Sequence, residues 1–221
     1  MLMETIIAYF LAICLASFFS INLHNILVAH KPEKSTKAHA EIDWPSGLIV
    51  GLAAFGTFVY FLEAATYVFL VLTNLLSLTT FSTFGLPITL TLLAEAMGLV
   101  LTAIGYITFP WSVIARGKYA TSWEMRDSHK LVTWGPYRYV RHPSYLAYFF
   151  MFIGLFAIWP SWLTLIPLAA IPGYFRVTFR EEKLLEKRFG SQYLDYQRKT
   201  GRFIPKLQNI YSHEDESSRR A

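Results

Sequence analysis

Two short stretches of this 221-residue chain carry side chains whose types and spacing suit chemistry. One is KLVTWGPYRYVRHPSY, Lys130 to Tyr145, which sets Arg138, Arg141 and His142 among two prolines, a glycine, three tyrosines and a tryptophan. The other is the acidic pair Glu181–Glu182. Pro143 suits the first turn of a helix, so a helix is expected to start at His142 or Pro143. The free N–H groups and positive dipole end of such a helix attract an anion such as a carboxylate, and Arg141 and His142 reinforce the attraction. Gly135-Pro136 forces a turn just upstream. Glu181 and Glu182 suit ribose hydroxyls or a cation. Their bland alternative is a solvated helix face, because Glu182 and Glu186 lie one turn apart next to Lys183 and Lys187. Arg138 and Tyr139 read more simply as membrane-flanking groups.

The elements that position these groups are apolar. The chain is 54% hydrophobic and only 16% charged, against about 25% charged for a soluble domain. A bilayer span needs roughly 20 apolar residues. Thr5–Val28, Ser46–Leu76 and Leu86–Ala115 each supply one, with Pro110 expected to kink the third. Tyr145–Trp159 and Ser161–Phe175 form a shorter hairpin hinged at WPSW, and from Arg176 the chain is polar and helical. The first run lacks a basic flank and a cleavage site, so it is expected to be retained. Arg and Lys fall into three groups: three in His30–Pro45, six in Arg116–Ser144 and eleven from Arg176 onward, which accounts for all 20. In a five-span topology all three groups share one side, which puts the N-terminus outside and the C-terminus in the cytosol.

Other classes fit less well. The net charge of +5 sits between and after apolar runs, the membrane pattern and not a nucleic-acid patch. Cys14 is the only cysteine, which excludes an internal disulfide and a Cys-based metal site. Glu63 and Glu95 lie within spans and far from the cytosolic groups. Each is expected to be protonated and hydrogen-bonded in a structural role. A scaffold or transporter is disfavoured, because the polar groups gather at one face instead of lining a path.

The blocks HKLVTWGPYRYVRHPSY and REEKLLEKRFGSQYLDYQRKTGRFIP, in that order around an apolar hairpin, resemble the isoprenylcysteine carboxyl methyltransferase family and its wider membrane methyltransferase group. The resemblance covers about Arg116 to Lys206. It implies an all-α polytopic membrane fold: five transmembrane helices, the last two a tight hairpin, with a cytosolic S-adenosylmethionine pocket capped by a C-terminal helix. With the apolar runs before it, the chain reads as one integral-membrane unit over residues 1–208, made of a three-helix part (1–115) and a cofactor-binding part (116–208), followed by a tail (209–221) whose composition predicts disorder.

By the same resemblance, His129, Leu131 and Val132 line the cofactor, and Gly135, Pro136 and Tyr137 turn around it. Arg141, His142, Pro143 and Tyr145 bind its amino-acid end and sulfonium region, while Glu181 and Glu182 contact its polar groups. The acceptor is a lipid or prenylated substrate taken from the bilayer. Arg176 or Arg180 would bind an acceptor carboxylate. With an amine acceptor, as in phospholipid N-methyltransferases, Glu181, Glu182 or His142 would serve as base. Ala147 departs from the glycine of many relatives, and its methyl either crowds the cofactor or tightens helix packing. A NADPH-dependent sterol or steroid reductase is the competing resemblance. Its RHPNYxGE reads RHPSYLAY here, without the Asn or the Glu.

Overall fold

A computed structural model describes residues 2–29, 47–75, 86, 92–117 and 130–206. Its helices are α1 (Leu2–Ala29), α2 (Leu48–Leu72), α3 (Leu92–Arg116), α4 (Pro143–Ile158), α5 (Leu165–Phe189) and α6 (Ser191–Lys199), with a 3-10 turn at Gly135–Arg138. His129 and the 209–221 segment lie outside the described residues. The fold is all-α. Met3–Leu27, Val50–Leu72 and Leu92–Arg116 are each long and apolar enough to cross a membrane. Ile13, Phe58, Ile107 and Ile114 stand exposed on them, as side chains bathed in lipid do.

Two close helix contacts organise the bundle. Against α4, α3 presents Gly98 and Gly105. A Cβ on Gly105 would lie 2.8 Å from the Ala147 carbonyl oxygen, and one on Gly98 would lie 2.9 Å from that of Gly154. Small residues let the two backbones approach without a side chain between them. Ala147 is fully buried in this seam, so its methyl belongs to helix packing. Against α5, α2 uses Gly56, which faces Ala170, and the Thr57 hydroxyl, which bonds the Tyr174 hydroxyl. Phe18 of α1 wedges between Phe61 and Phe109, with ring centroids 4.4 and 4.5 Å away. That contact ties α1 to both α2 and α3.

Pro110 lies inside α3, which continues to Arg116. The polar helical stretch expected from Arg176 continues the apolar arm before it: α5 runs unbroken from Leu165 to Phe189. Its buried face continues from Ala170 and Tyr174 through Val177 to Glu182, so packing carries the helix past the apolar boundary. Glu63, expected to be hydrogen-bonded, is buried with neither oxygen bonded among the described residues. The hydroxyl of nearby Tyr60 is spent instead on Tyr106, 3.2 Å away. In the Trp159–Thr164 hinge, Ser161 N–H donates to Thr164 Oγ1 at 3.0 Å and Thr164 N–H to Ser161 Oγ at 3.1 Å, while the buried Trp159 Nε1 has no partner among the described residues.

Candidate functional site

The polar strip before α4 is held against α3. Gly135 sits at φ +61°, a conformation that L side chains rarely adopt, and an added Cβ would meet Ala115 at 2.9 Å. Pro136 opens the 3-10 turn, and α4 then starts at Pro143, with His142 preceding it. The segment after α6 returns to this point as a strap. Arg141 N–H donates to Gly201 O (2.8 Å) and His142 N–H to Arg202 O (3.1 Å), one turn of parallel pairing between the two sequence blocks. The Tyr196 hydroxyl adds a bond to Tyr137 O at 2.6 Å. Phe203 is buried between Phe149 and Phe175.

Within this frame Glu182 is the hub of a buried ionic clasp. Its Oε1 accepts from Arg141 Nε (2.9 Å), His142 Nε2 (3.1 Å) and Arg202 Nε (3.0 Å), and its Oε2 from Arg202 Nη2. Arg141 Nη1 also donates to Thr200 O. Glu181 stands next to the hub. Its Oε1 accepts from the Tyr145 hydroxyl at 2.6 Å, and its Oε2 lies 3.4 Å from His142 Nδ1. The two neighbours differ in access: the Glu182 side chain is 7% exposed and that of Glu181 23%.

The clasp shifts its own protonation. Burial works against the Glu182 charge, but hydrogen bonds from His142, Arg202 and Arg141 outweigh it and hold the carboxyl well below the usual carboxylate range. Burial also works against a charged His142, yet Glu181 and Glu182 overcome it and raise the imidazole above its ordinary 6.5. The His142 contribution to stability is therefore complete below pH 6.5 and lost as pH rises through the raised value. The Glu182 contribution is complete above its ordinary 4.5 and lost only as pH falls through the depressed value. Melting temperature in lipid nanodiscs is expected to plateau between those two values and decline on the alkaline side. His142→Gln removes the alkaline decline, and a wild-type profile flat from pH 6 to 9 would refute the assignment.

A second polar cluster lies where α3 meets the start of α4. Arg116 Nη2 donates to Ser144 Oγ (3.3 Å), which is 2.7 Å from Ser112 Oγ, and Ser112 donates to Phe109 O at 2.7 Å. With Ser112 committed to that carbonyl, Ser144 donates to Ser112.

The structure thus brings together most of the residues singled out in the sequence. Val132, Pro136, Tyr137, His142, Pro143 and Glu182 are buried here, and Leu131, Gly135, Arg141, Tyr145 and Glu181 are half-buried. Arg141 and His142 both donate to Glu182, so the three residues meet in one cluster. Arg176 and Arg180 are not on the clasp face. They stand exposed with Lys183 and Lys187, a spacing of four, seven and eleven that lines one side of α5. Sequence reading missed Arg202 and Arg116, which it counted only as membrane-flanking cations. The one local hint of the strap was Thr200-Gly201, a turn signal after α6.

Comparison with known proteins follows the same outline. The phospholipid methyltransferase family matches residues 93–192, a stretch that contains α3, α4, α5 and the clasp carboxylates. The protein-S-isoprenylcysteine O-methyltransferase of Tribolium castaneum is 32% identical over 114 residues, 49% of this chain and 41% of that one. Over its site-bearing half, this chain is similar to the membrane methyltransferases. The Arabidopsis thaliana protein-S-isoprenylcysteine O-methyltransferase B is 29% identical over 114 residues, 49% of this chain and 57% of its own. The chain spans about half the length of the curated methyltransferases it matches. A solved structure of the eukaryotic intramembrane Ras methyltransferase ICMT aligns with a TM-score of 0.48 at 24% identity, covering 82% of this chain and 60% of that one.

Proposed function

We propose that the protein is an integral-membrane methyltransferase that uses S-adenosylmethionine to methylate the carboxylate of an isoprenylcysteine-like acceptor held in the bilayer. The observation that carries this reading is the convergence of the two sequence blocks, through the strap and Glu182, where α4 begins and α5 turns polar. S-adenosylmethionine presents a carboxylate, an ammonium, a sulfonium and a flat adenine. The residues fit that set: a half-exposed carboxylate at Glu181, aromatic faces at Tyr145 and Trp134, and an Arg116 Nε unbonded among the described residues.

Leu131, Val132, Gly135, Pro136, Tyr137, Pro143, Tyr145 and Glu181 would hold the cofactor, with His129 nearby in sequence. When bound, it supplies a methyl group already activated for displacement. The protein then has to orient the nucleophile and exclude water. Glu181, fixed by Tyr145 and His142, offers negative charge to a cationic group. Arg141, His142, Glu182 and Arg202 are positioning residues, because their charges are spent on each other and hold the strap closed. Phe203 keeps water from the α4–α5 side. Arg176 and Arg180, on the exposed cationic stripe, attract an anionic acceptor toward the site. A carboxylate acceptor is already a nucleophile and needs no base.

The topology inferred with this function has five membrane segments. The 16-residue α4, about 24 Å long, and the first part of α5 form the final hairpin. The N-terminus lies outside, and the clasp and C-terminus are cytosolic.

The test is nanodisc-embedded protein given methyl-labelled S-adenosylmethionine with a farnesylated cysteine free acid, phosphatidylethanolamine, or neither. The expected product is a base-labile methyl ester on the cysteine acid alone. Label on phosphatidylethanolamine would move the acceptor to an amine, and binding of NADPH without S-adenosylmethionine would overturn methyl transfer.

A further inference from the structure

Arg116 lies outside both sequence blocks, and unlike Arg141 and Arg202 it does not bond Glu182 among the described residues. Arg141 and Arg202 are consumed by Glu182. Among the described residues Arg116 makes one hydrogen bond, Nη2 to Ser144 Oγ, and its buried Nε has no partner. A guanidinium carries five N–H donors in a planar fork, and leaving one buried and unpaired costs stability unless something else accepts it.

The surroundings say what that acceptor is. Arg116 bonds Ser144 on the first turn of α4, and the next residue, Tyr145, donates its hydroxyl to Glu181. The two opposite charges therefore flank the same turn of backbone. The Ser144 contact also sets the guanidinium against the first turn of α4. Pro143 has no N–H there and Leu146 N–H is taken by His142 O, which leaves the Ser144 and Tyr145 N–H groups as open donors among the described residues. An arginine fork with unspent donors, beside two backbone N–H groups, matches a planar carboxylate.

We propose that Arg116 is the carboxylate-binding residue of this site. The inference rests on the methyl-transfer reading, in which both participants carry a carboxylate: the amino-acid end of the donor and the acceptor itself. Either way Arg116 would touch ligand directly, opposite Glu181, which faces the cationic group.

Four ligands test this by calorimetric titration of purified wild type, Arg116→Gln and Arg116→Lys: S-adenosylhomocysteine, its decarboxylated analogue, a farnesylated cysteine acid and its methyl ester. Arg116→Gln is expected to weaken one carboxylate ligand by on the order of tenfold or more, and its uncharged counterpart by much less. Arg116→Lys, which keeps the charge but not the fork, falls between. Weakened S-adenosylhomocysteine assigns Arg116 to the donor, and weakened cysteine acid with unchanged ester assigns it to the acceptor. Equal binding of all four ligands by wild type and Arg116→Gln overturns the proposal alone. Wild type that binds neither S-adenosylhomocysteine nor the cysteine acid overturns the methyl-transfer reading and this proposal with it. Thermal melting of each variant separates lost recognition from lost folding: Arg116→Gln melting with wild type while losing affinity supports the assignment. If Arg116→Gln unfolds, Arg116→Lys carries the comparison, and unchanged binding there overturns the proposal.

Discussion

Glu182→Ala is expected to unfasten the cytosolic end of the molecule, lowering the melting temperature sharply and abolishing S-adenosylhomocysteine binding. Removing this carboxylate leaves Arg141, His142 and Arg202 facing one another around a cavity. The Arg141 and Glu182 side chains are only 11% and 7% exposed, so water cannot compensate them. Deleting one partner of a buried ionic cluster costs about 3–5 kcal/mol, because the charges left behind stay buried. Glu182→Gln is expected to be nearly as harmful, since an amide keeps the shape but not the countercharge. Glu181→Ala makes the informative contrast. Its carboxylate is more exposed and accepts chiefly from the Tyr145 hydroxyl, so that variant should lose ligand affinity with most of its melting temperature intact. Thermal unfolding and calorimetry in nanodiscs on all three variants check this. A Glu182→Ala protein that melts with wild type would show that the clasp holds nothing together.

The second large effect comes from a residue with no polar atom in its side chain. Gly154→Val is expected to separate α3 from α4. A Cβ at Gly154 would lie 2.2 Å from Thr102 Oγ1 and 2.8 Å from both Gly98 O and Thr102 N. Two of those atoms are backbone and cannot rotate away, so the helices themselves have to part. Overpacking a tight interior contact costs typically 1–3 kcal/mol, and backbone contacts fall at or above the upper end. Parting the helices also pulls Ser144 from Ser112 and Arg116, so ligand affinity is lost at a distance. Gly51→Val is the control, because nothing lies within 4 Å of the added group. Size-exclusion profiles and melting curves of the two variants should diverge, and equal behaviour would remove the glycine seam from the account.

How much of this was legible in the sequence depends on the range of the interactions involved. α1, α2 and α3 follow from apolar runs of bilayer length, because a local composition dictates them. The start of α4 was readable for the same reason: Pro143 fixes its own backbone whatever surrounds it. The length of α5 was not, since past Phe175 it depends on a face buried by other segments. The clasp was half legible. His142 and Glu182 stood out as chemical types, and their blocks were expected to meet. That Arg202 completes the hub, and that Arg141 is spent there, depends on the strap crossing the start of α4, which no periodicity encodes. Arg116 was hidden in plain view, because a cation at the end of a span has an ordinary topological explanation. The Ala147 methyl offered two meanings in sequence, and only the neighbouring Gly105 on α3 decides between them.

One feature of α5 reaches beyond the site. It is one continuous helix from Leu165, by the hinge, to Phe189 in the polar region, with Pro172 inside it, and it carries Glu181 and Glu182 on its way out. α4, its partner in the hairpin, is shorter than the roughly 30 Å of a bilayer hydrocarbon core. A membrane thicker than α4 is met by local thinning, and one thinner than the apolar part of a helix by tilt of that helix. Under the proposed function, any tilt of α5 would swing the acidic pair relative to the first turn of α4, so lipid chain length would reach the site through the angle of one helix.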